Sequence, residues 1–191
     1  MSVMLRWNRG LCALMLTIAS LSASANTVLV IGDSLSAGYG VDTGKGWVDL
    51  LAERLRARDT GWRVVNASVS GDTTSGGAAR IGAALAKHTP RVVILELGGN
   101  DALRGQPVNV MRDNLTLMVQ RSRDAGARVL LLGMRIPPNY GPAYTKAIRA
   151  LYHSLASTLN VAFVTFFLED VALDDRLMQA DGIHPLSLIH I

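Results

Sequence analysis

Five short aliphatic runs, separated by stretches with helical spacing, restrict this 191-residue chain more than any other feature of its sequence. The runs fall at residues 28–31, 63–66, 91–97, 128–132 and 161–167. Their apolar residues are consecutive rather than alternate, as in strands buried on both faces. Between them, 46–58 places Trp47, Leu50, Leu51 and Leu55 on one helical face. The segment 76–87 is alanine-rich around Ile81 and Leu85, and 108–125 spaces Met111, Leu115, Met118 and Val119 for a helix. A last stripe, Ile148, Leu151, Leu155 and Leu159, runs through 144–159. Buried strands alternating with amphipathic helices predict a parallel sheet covered on both sides through right-handed crossovers. The expectation is α/β: a three-layer α/β/α sandwich with a five-stranded parallel sheet, flavodoxin-like in architecture. With 49% hydrophobic residues, 26–191 suffices for one domain and its core.

Residues 1–25 read as a signal peptide instead of structure. Arg6 and Arg9 make a basic start, 11–21 an apolar stretch too short to span a bilayer, and Ala23-Ser24-Ala25 a small-residue cleavage site. The mature chain is therefore expected to be periplasmic or secreted, with no stable membrane insertion after cleavage. Cys12, the only cysteine, lies inside this leader, so neither a disulfide nor a lipid anchor is expected. Of the net charge of +4, Arg6 and Arg9 contribute two. What remains is small and interspersed with acids, which speaks against nucleic acid as a partner.

Open α/β sheets bind ligands at the C-terminal ends of their strands, and each end here carries chemistry-bearing residues. After the first strand comes Gly32-Asp33-Ser34-Leu35. A serine that also opens a helix has backbone N–H groups beside it able to stabilise an oxyanion, which makes Ser34 the candidate nucleophile. Serine is equally an ordinary helix N-cap, and the turn alone leaves both roles open. After the second strand, Gly71 either lets the backbone present its N–H to a ligand or simply makes a turn before a cap at Asp72 or Thr73. After the third, Gly98-Gly99-Asn100-Asp101 supplies a side-chain amide at Asn100, or again an ordinary turn. Near the end, Asp181 stands three residues before His184. On a short loop that carboxylate can hold one ring nitrogen, fix the tautomer and stabilise the imidazolium formed when the other nitrogen takes a proton. His88 and His153 read as structural or solvent-exposed, and His190 has no evident partner. No histidine, cysteine or acid spacing fits a metal site, and neither phosphate-loop pattern occurs, so no metal and no cofactor is expected.

Taken together, Gly32-Asp-Ser-Leu35, Gly71, Gly98-Gly-Asn-Asp101 and Asp181-x-x-His184 resemble, in order, the four blocks of the SGNH, or GDSL, hydrolases. Gly32-Asp-Ser-Leu-Ser-Ala-Gly-Tyr-Gly40, Leu97-Gly-Gly-Asn-Asp101 and Met134-Arg-Ile-Pro-Pro-Asn-Tyr-Gly141 are similar to the thioesterase/lysophospholipase/arylesterase branch. The resemblance covers 26–185. It implies Ser34 as nucleophile, His184 as general base, Asp181 as its orienter, and an oxyanion hole from the Ser34 and Gly71 N–H groups and the Asn100 side chain. It implies a loop at 102–106 that can move over the substrate. Ser36 at the second position after the nucleophile separates the turn from the Gly-x-Ser-x-Gly elbow of α/β-hydrolases. The activity implied is a serine esterase working on acyl esters, thioesters or lysophospholipids through an acyl-enzyme, as a monomer. Leu103, Met111, Pro138 and Tyr140 are the candidate substrate-groove residues, though each could also be ordinary loop or core. A carbohydrate-ester deacetylase, an acyltransferase on the same scaffold and, far behind, a non-catalytic flavodoxin-like binding module are the rival readings.

The family follows Asp-x-x-His-Pro with a substantial helix, whereas here 186–191 are few and apolar without a polar face. The expectation is a C-terminal helix missing or altered, with sheet surface left uncovered and the loop of Asp181 and His184 loosened.

Overall fold

The computed structural model describes residues 26–59 and 61–186. Residues 1–25, Thr60 and the last five residues lie outside the described residues, and so do the expectations placed on them. Five strands, β1 (Asn26–Gly32), β2 (Trp62–Asn66), β3 (Val92–Glu96), β4 (Arg128–Leu132) and β5 (Ala162–Val164), form one sheet in the order β2-β1-β3-β4-β5. All pairs are parallel, with Val30 opposite both Asn66 and Ile94. The helices are α1 (Ser34–Ala37), α2 (Trp47–Arg58), α3 (Thr74–His88), α4 (Gly99–Leu103), α5 (Val108–Asp124) and α6 (Pro142–Leu159).

The chain steps from β1 outward to β2 and then returns across β1 to β3, β4 and β5. With right-handed crossovers, that reversal puts α2 on one face and α3, α5 and α6 on the other. Alternate side chains of each strand feed the two cores. Leu29, Ile31, Val93, Leu95 and Leu131 pack with Ile81, Leu115, Met118, Ile148 and Leu151 of the three-helix side. Val28, Val30, Ile94 and Leu132 pack with Val48 of α2 and with Phe167 and Leu168. The three-layer α/β/α sandwich is thus the one expected. The reversal also makes the gap between the C-terminal ends of β1 and β3 a topological switch point, where a crevice opens.

Four elements differ from expectation. β5 covers three residues instead of 161–167, because Phe167 and Leu168 turn out of the sheet and are buried on the α2 side. Helix α3 begins at Thr74, where the Thr73 hydroxyl accepts from the Gly76 N–H at 3.3 Å and caps it. Pro142 opens α6 at its first turn, where a missing N–H costs nothing. The stretch after Gly98 is the short helix α4 rather than a plain turn. On the α2 side of the sheet, Val164 of β5 is 39% exposed. The loop bearing Asp181 and His184 is nonetheless tied down. Met178 bridges Pro185, the Gln179 N–H donates to the His184 carbonyl at 2.7 Å, and the Leu186 N–H donates to that of Leu177 at 2.7 Å.

Candidate active site

At the end of β1 the chain turns sharply into α1, and Asp33 caps that helix by accepting the Leu35 N–H at 3.1 Å. Ser34 is therefore the first helical residue, with an N–H that has no intrahelical acceptor. Beneath the turn lies Glu96, the last residue of β3 and fully buried. It accepts the Ser36 hydroxyl at 2.6 Å and the Asp33 N–H at 3.3 Å. A Cβ on Gly32 would come 2.5 Å from Ser36 Oγ and 2.7 Å from Glu96 Oε2, so only glycine lets this carboxyl approach so closely. Burial, reinforced by the charge on Asp33, pushes the Glu96 carboxyl well above the ordinary carboxylate range. Asp33 is buried as well. Desolvation raises its carboxyl to about 6 against the pull of the Leu35 N–H and the Asn100 amide.

From the far end of the chain, His184 Nε2 lies 2.8 Å from Ser34 Oγ and His184 Nδ1 lies 2.7 Å from Asp181 Oδ2. A carboxylate can only accept, so Nδ1 carries the proton and Nε2 is left to accept from the serine hydroxyl. Asp181 is held by the backbone as well: its Oδ1 accepts from the Ile183 N–H at 2.9 Å and the His184 N–H at 3.0 Å. The His184 N–H is the largest of the influences, ahead of the imidazole, that bring its carboxyl down to about 2. The loop folds back on itself so that one aspartate stabilises both the turn and the ring.

Asn100, in the first turn of α4, donates its amide to Asp33 Oδ2 at 3.1 Å and sits on the wall of the crevice beside Ser34. The amide has a second hydrogen, which can donate to a bound group. α4 itself is fastened by Asp101, fully buried, which accepts both the Thr74 N–H at 2.8 Å and the Thr74 hydroxyl at 2.6 Å. The crevice has a volume of about 470 Å³ and runs from Ser34 and His184 between Leu103, Ile136, Pro138 and Phe166, an apolar lining. Among the described residues no three His, Cys, Asp or Glu side chains come together in a way that could hold a metal ion.

An aspartate–histidine–serine chain of hydrogen bonds at the mouth of an apolar crevice suits acyl transfer. Residues 30–190 match the model of the GDSL-like lipase/acylhydrolase family. The chain belongs to that family. It is 51% identical over 172 residues to esterase TesA of Pseudomonas aeruginosa, covering 90% of this chain and 86% of that protein. It is 44% identical over 164 residues to thioesterase 1/protease 1/lysophospholipase L1 of Escherichia coli, covering 86% of this chain and 77% of that one. A crystal structure of TesA superimposes with a TM-score of 0.81 at 52% identity, covering 84% of this chain and 89% of that one.

Of the candidate residues of this GDSL-family chain, Ser34, Asn100 and His184 meet at the crevice, and Leu103 and Pro138 line it. Asp181 stands behind the imidazole. Gly71 lies on an exposed turn after β2. Its carbonyl accepts from Arg104 at 3.1 Å, and Arg80 ties the same loop to Asp72 at 2.8 Å and to the Ala67 carbonyl. Two groove residues need correction. Met111 is fully buried on the core face of α5, in line with Leu115 and Met118, and touches no part of the crevice. Tyr140 is off the crevice wall, its hydroxyl donating to the Leu103 carbonyl at 3.0 Å and tying α4 to the Pro138–Tyr140 turn. Tyr144 reaches the Gln106 carbonyl at 2.8 Å, so the segment 102–106 is fastened at both ends.

Sequence reasoning passed over Asp33, Glu96 and Asp101. Glu96 left a signal: a carboxylate ending a run of Val92-Val-Ile-Leu95 has no place in a doubly covered strand unless something below needs it.

Proposed function

We propose that this chain hydrolyses carboxylic esters and thioesters of medium and long acyl groups, with Ser34 as nucleophile, His184 as general base and Asp181 as orienter. The chain is a serine esterase of its family. The observation that carries the residue assignment is the unbroken hydrogen-bond chain from Asp181 through His184 to Ser34, ending at an apolar crevice. His184 Nε2 takes the serine proton as Oγ attacks the acyl carbon. The oxyanion forms within reach of the Ser34 N–H and the Asn100 amide, and the family resemblance adds the Gly71 N–H as third donor. The carbonyl re-forms, the leaving oxygen or sulfur takes the proton from His184, and the acyl group stays on Ser34. Water, deprotonated by the same nitrogen, then releases the acid.

A crevice of about 470 Å³ with apolar walls favours an extended acyl chain over the two carbons of an acetyl group, and so favours an acylhydrolase over a deacetylase. The small-residue site at Ala23-Ser24-Ala25 supports export, and among the described residues no helix is long and apolar enough to cross a membrane. Outside the cytoplasm, lysophospholipid esters are the natural substrate class we assign, a reading supported by the apolar crevice. The test pairs a serine-reactive fluorophosphonate with a series of esters of graded chain length. Labelling at Ser34, its loss in Ser34→Ala, and kcat/KM rising with chain length are expected. Full turnover by Ser34→Ala refutes the nucleophile, and indifference to chain length refutes the acyl groove.

A further inference from the structure

Ser34 and His184 come from loops 150 residues apart, yet proton transfer needs them within hydrogen-bond distance. Asp181 cannot supply that alignment, because it shares a loop with His184 and the two would shift together. The connection runs through Tyr39 and Gln179. The Tyr39 N–H donates to the Ser34 carbonyl at 3.0 Å, just past the residue that caps α1. The Tyr39 carbonyl accepts from Gln179 Nε2 at 3.0 Å, and the same nitrogen donates to the Pro185 carbonyl at 3.1 Å. The Gln179 backbone N–H holds the His184 carbonyl at 2.7 Å. Across this link the Tyr39 ring packs on the imidazole, centroids 4.7 Å apart and planes tilted by 45°. A Cβ on Gly40 would fall 2.4 Å from the Gln179 amide, so the side chain seats itself where residue 40 has no Cβ.

We infer that Tyr39 and Gln179 brace His184 against the Ser34 loop and are positioning residues for the proton transfer. The inference rests on the assignment of Ser34 and His184 as nucleophile and base. Core packing does not explain Tyr39, which is 55% exposed. What the ring covers is one face of the imidazole, which leaves His184 fewer orientations from which to reach Oγ.

The test uses the mature chain with a 4-nitrophenyl ester, alongside fluorophosphonate labelling and thermal unfolding. Tyr39→Ala should lower kcat on the order of 10-fold through misplacement of the base. KM and the melting temperature should stay close to the parent's, and Tyr39→Phe, which keeps the ring, should restore kcat. Gln179→Ala should lower kcat similarly. The double variant should lose less than the product of the two single losses, because ring and amide hold the same loop. Wild-type kcat in Tyr39→Ala, equal losses in Tyr39→Phe and Tyr39→Ala, or losses that multiply in the double variant would each overturn the brace. If the parent labels at Ser34 and Tyr39→Ala labels at the same rate, the brace alone fails. A parent that does not label at Ser34 removes the nucleophile assignment itself.

Discussion

Replacing Asp33 by asparagine should change the pH dependence of stability more than stability at any one pH. Asp33 is 2% exposed, and burial raises its carboxyl from 3.8 to about 6. Between those values the folded chain keeps a proton that the unfolded chain has released. Stability therefore falls as pH rises from about 4 to about 6, and stays lower above. A shift of about 2 units corresponds to roughly 3 kcal/mol. Asparagine cannot ionise, so this loss disappears. It keeps one acceptor oxygen, however, for either the Leu35 N–H or the Asn100 amide, and turns its own NH₂ toward the other donor. That mismatch costs about 1–3 kcal/mol at every pH. Asp33→Asn should be the less stable protein at pH 4, and the gap should close by roughly 3 kcal/mol, vanishing or reversing, by pH 8. Relief of the like-charge repulsion on Glu96 acts in the same direction. Urea unfolding of both proteins at intervals across this range measures the difference directly, since the other ionising groups are common to both. A gap that stays flat, or widens against the variant as pH rises, would refute the account of a buried, strained carboxylate.

Three further outcomes are expected. Asn100→Ala should lower kcat by about 100- to 1,000-fold with KM little changed, because the lost donor acts on the charge of the transition state. Asp181 ionises near 2, so Asp181→Asn removes a charge present at every working pH. Turnover should drop by roughly 10³- to 10⁴-fold across the whole pH–rate profile, and a loss confined to one limb would contradict the role of orienter. Ile136→Trp, which fills part of the crevice wall, should lower kcat/KM for decanoyl esters on the order of 10-fold and leave butyryl esters nearly unaffected. Equal losses on both would place the acyl chain elsewhere.

The layers, the five strands and the helices between them were legible because period and burial are local properties of sequence. Strand ends were less so. Phe167 reads as a strand residue by its type, yet it leaves β5 to fill the α2-side core, a choice made by the space left beside Val48 and Leu168. Met111 illustrates the same limit from the other direction. The sequence left it open between groove and core, and the packing of its helical stripe with Leu115 and Met118 decided for the core. Tyr140 is drawn aside by a hydrogen bond to a carbonyl 37 residues away, which no local pattern encodes.

By itself, the sequence determined the α/β class, the order of strands and helices and the residue types that follow each strand, since these follow from hydrophobic spacing and from which side chains can act as nucleophile, base or donor. Only the tertiary structure decided that a serine of the first turn and a histidine of the last loop stand 2.8 Å apart, that two acids lie buried beneath that serine, and that Tyr39 and Gln179 join the two loops. The reason is physical: a hydrogen bond between residues 150 positions apart depends on how the sheet order folds the chain back upon itself, and that order is set by the packing of all the layers together.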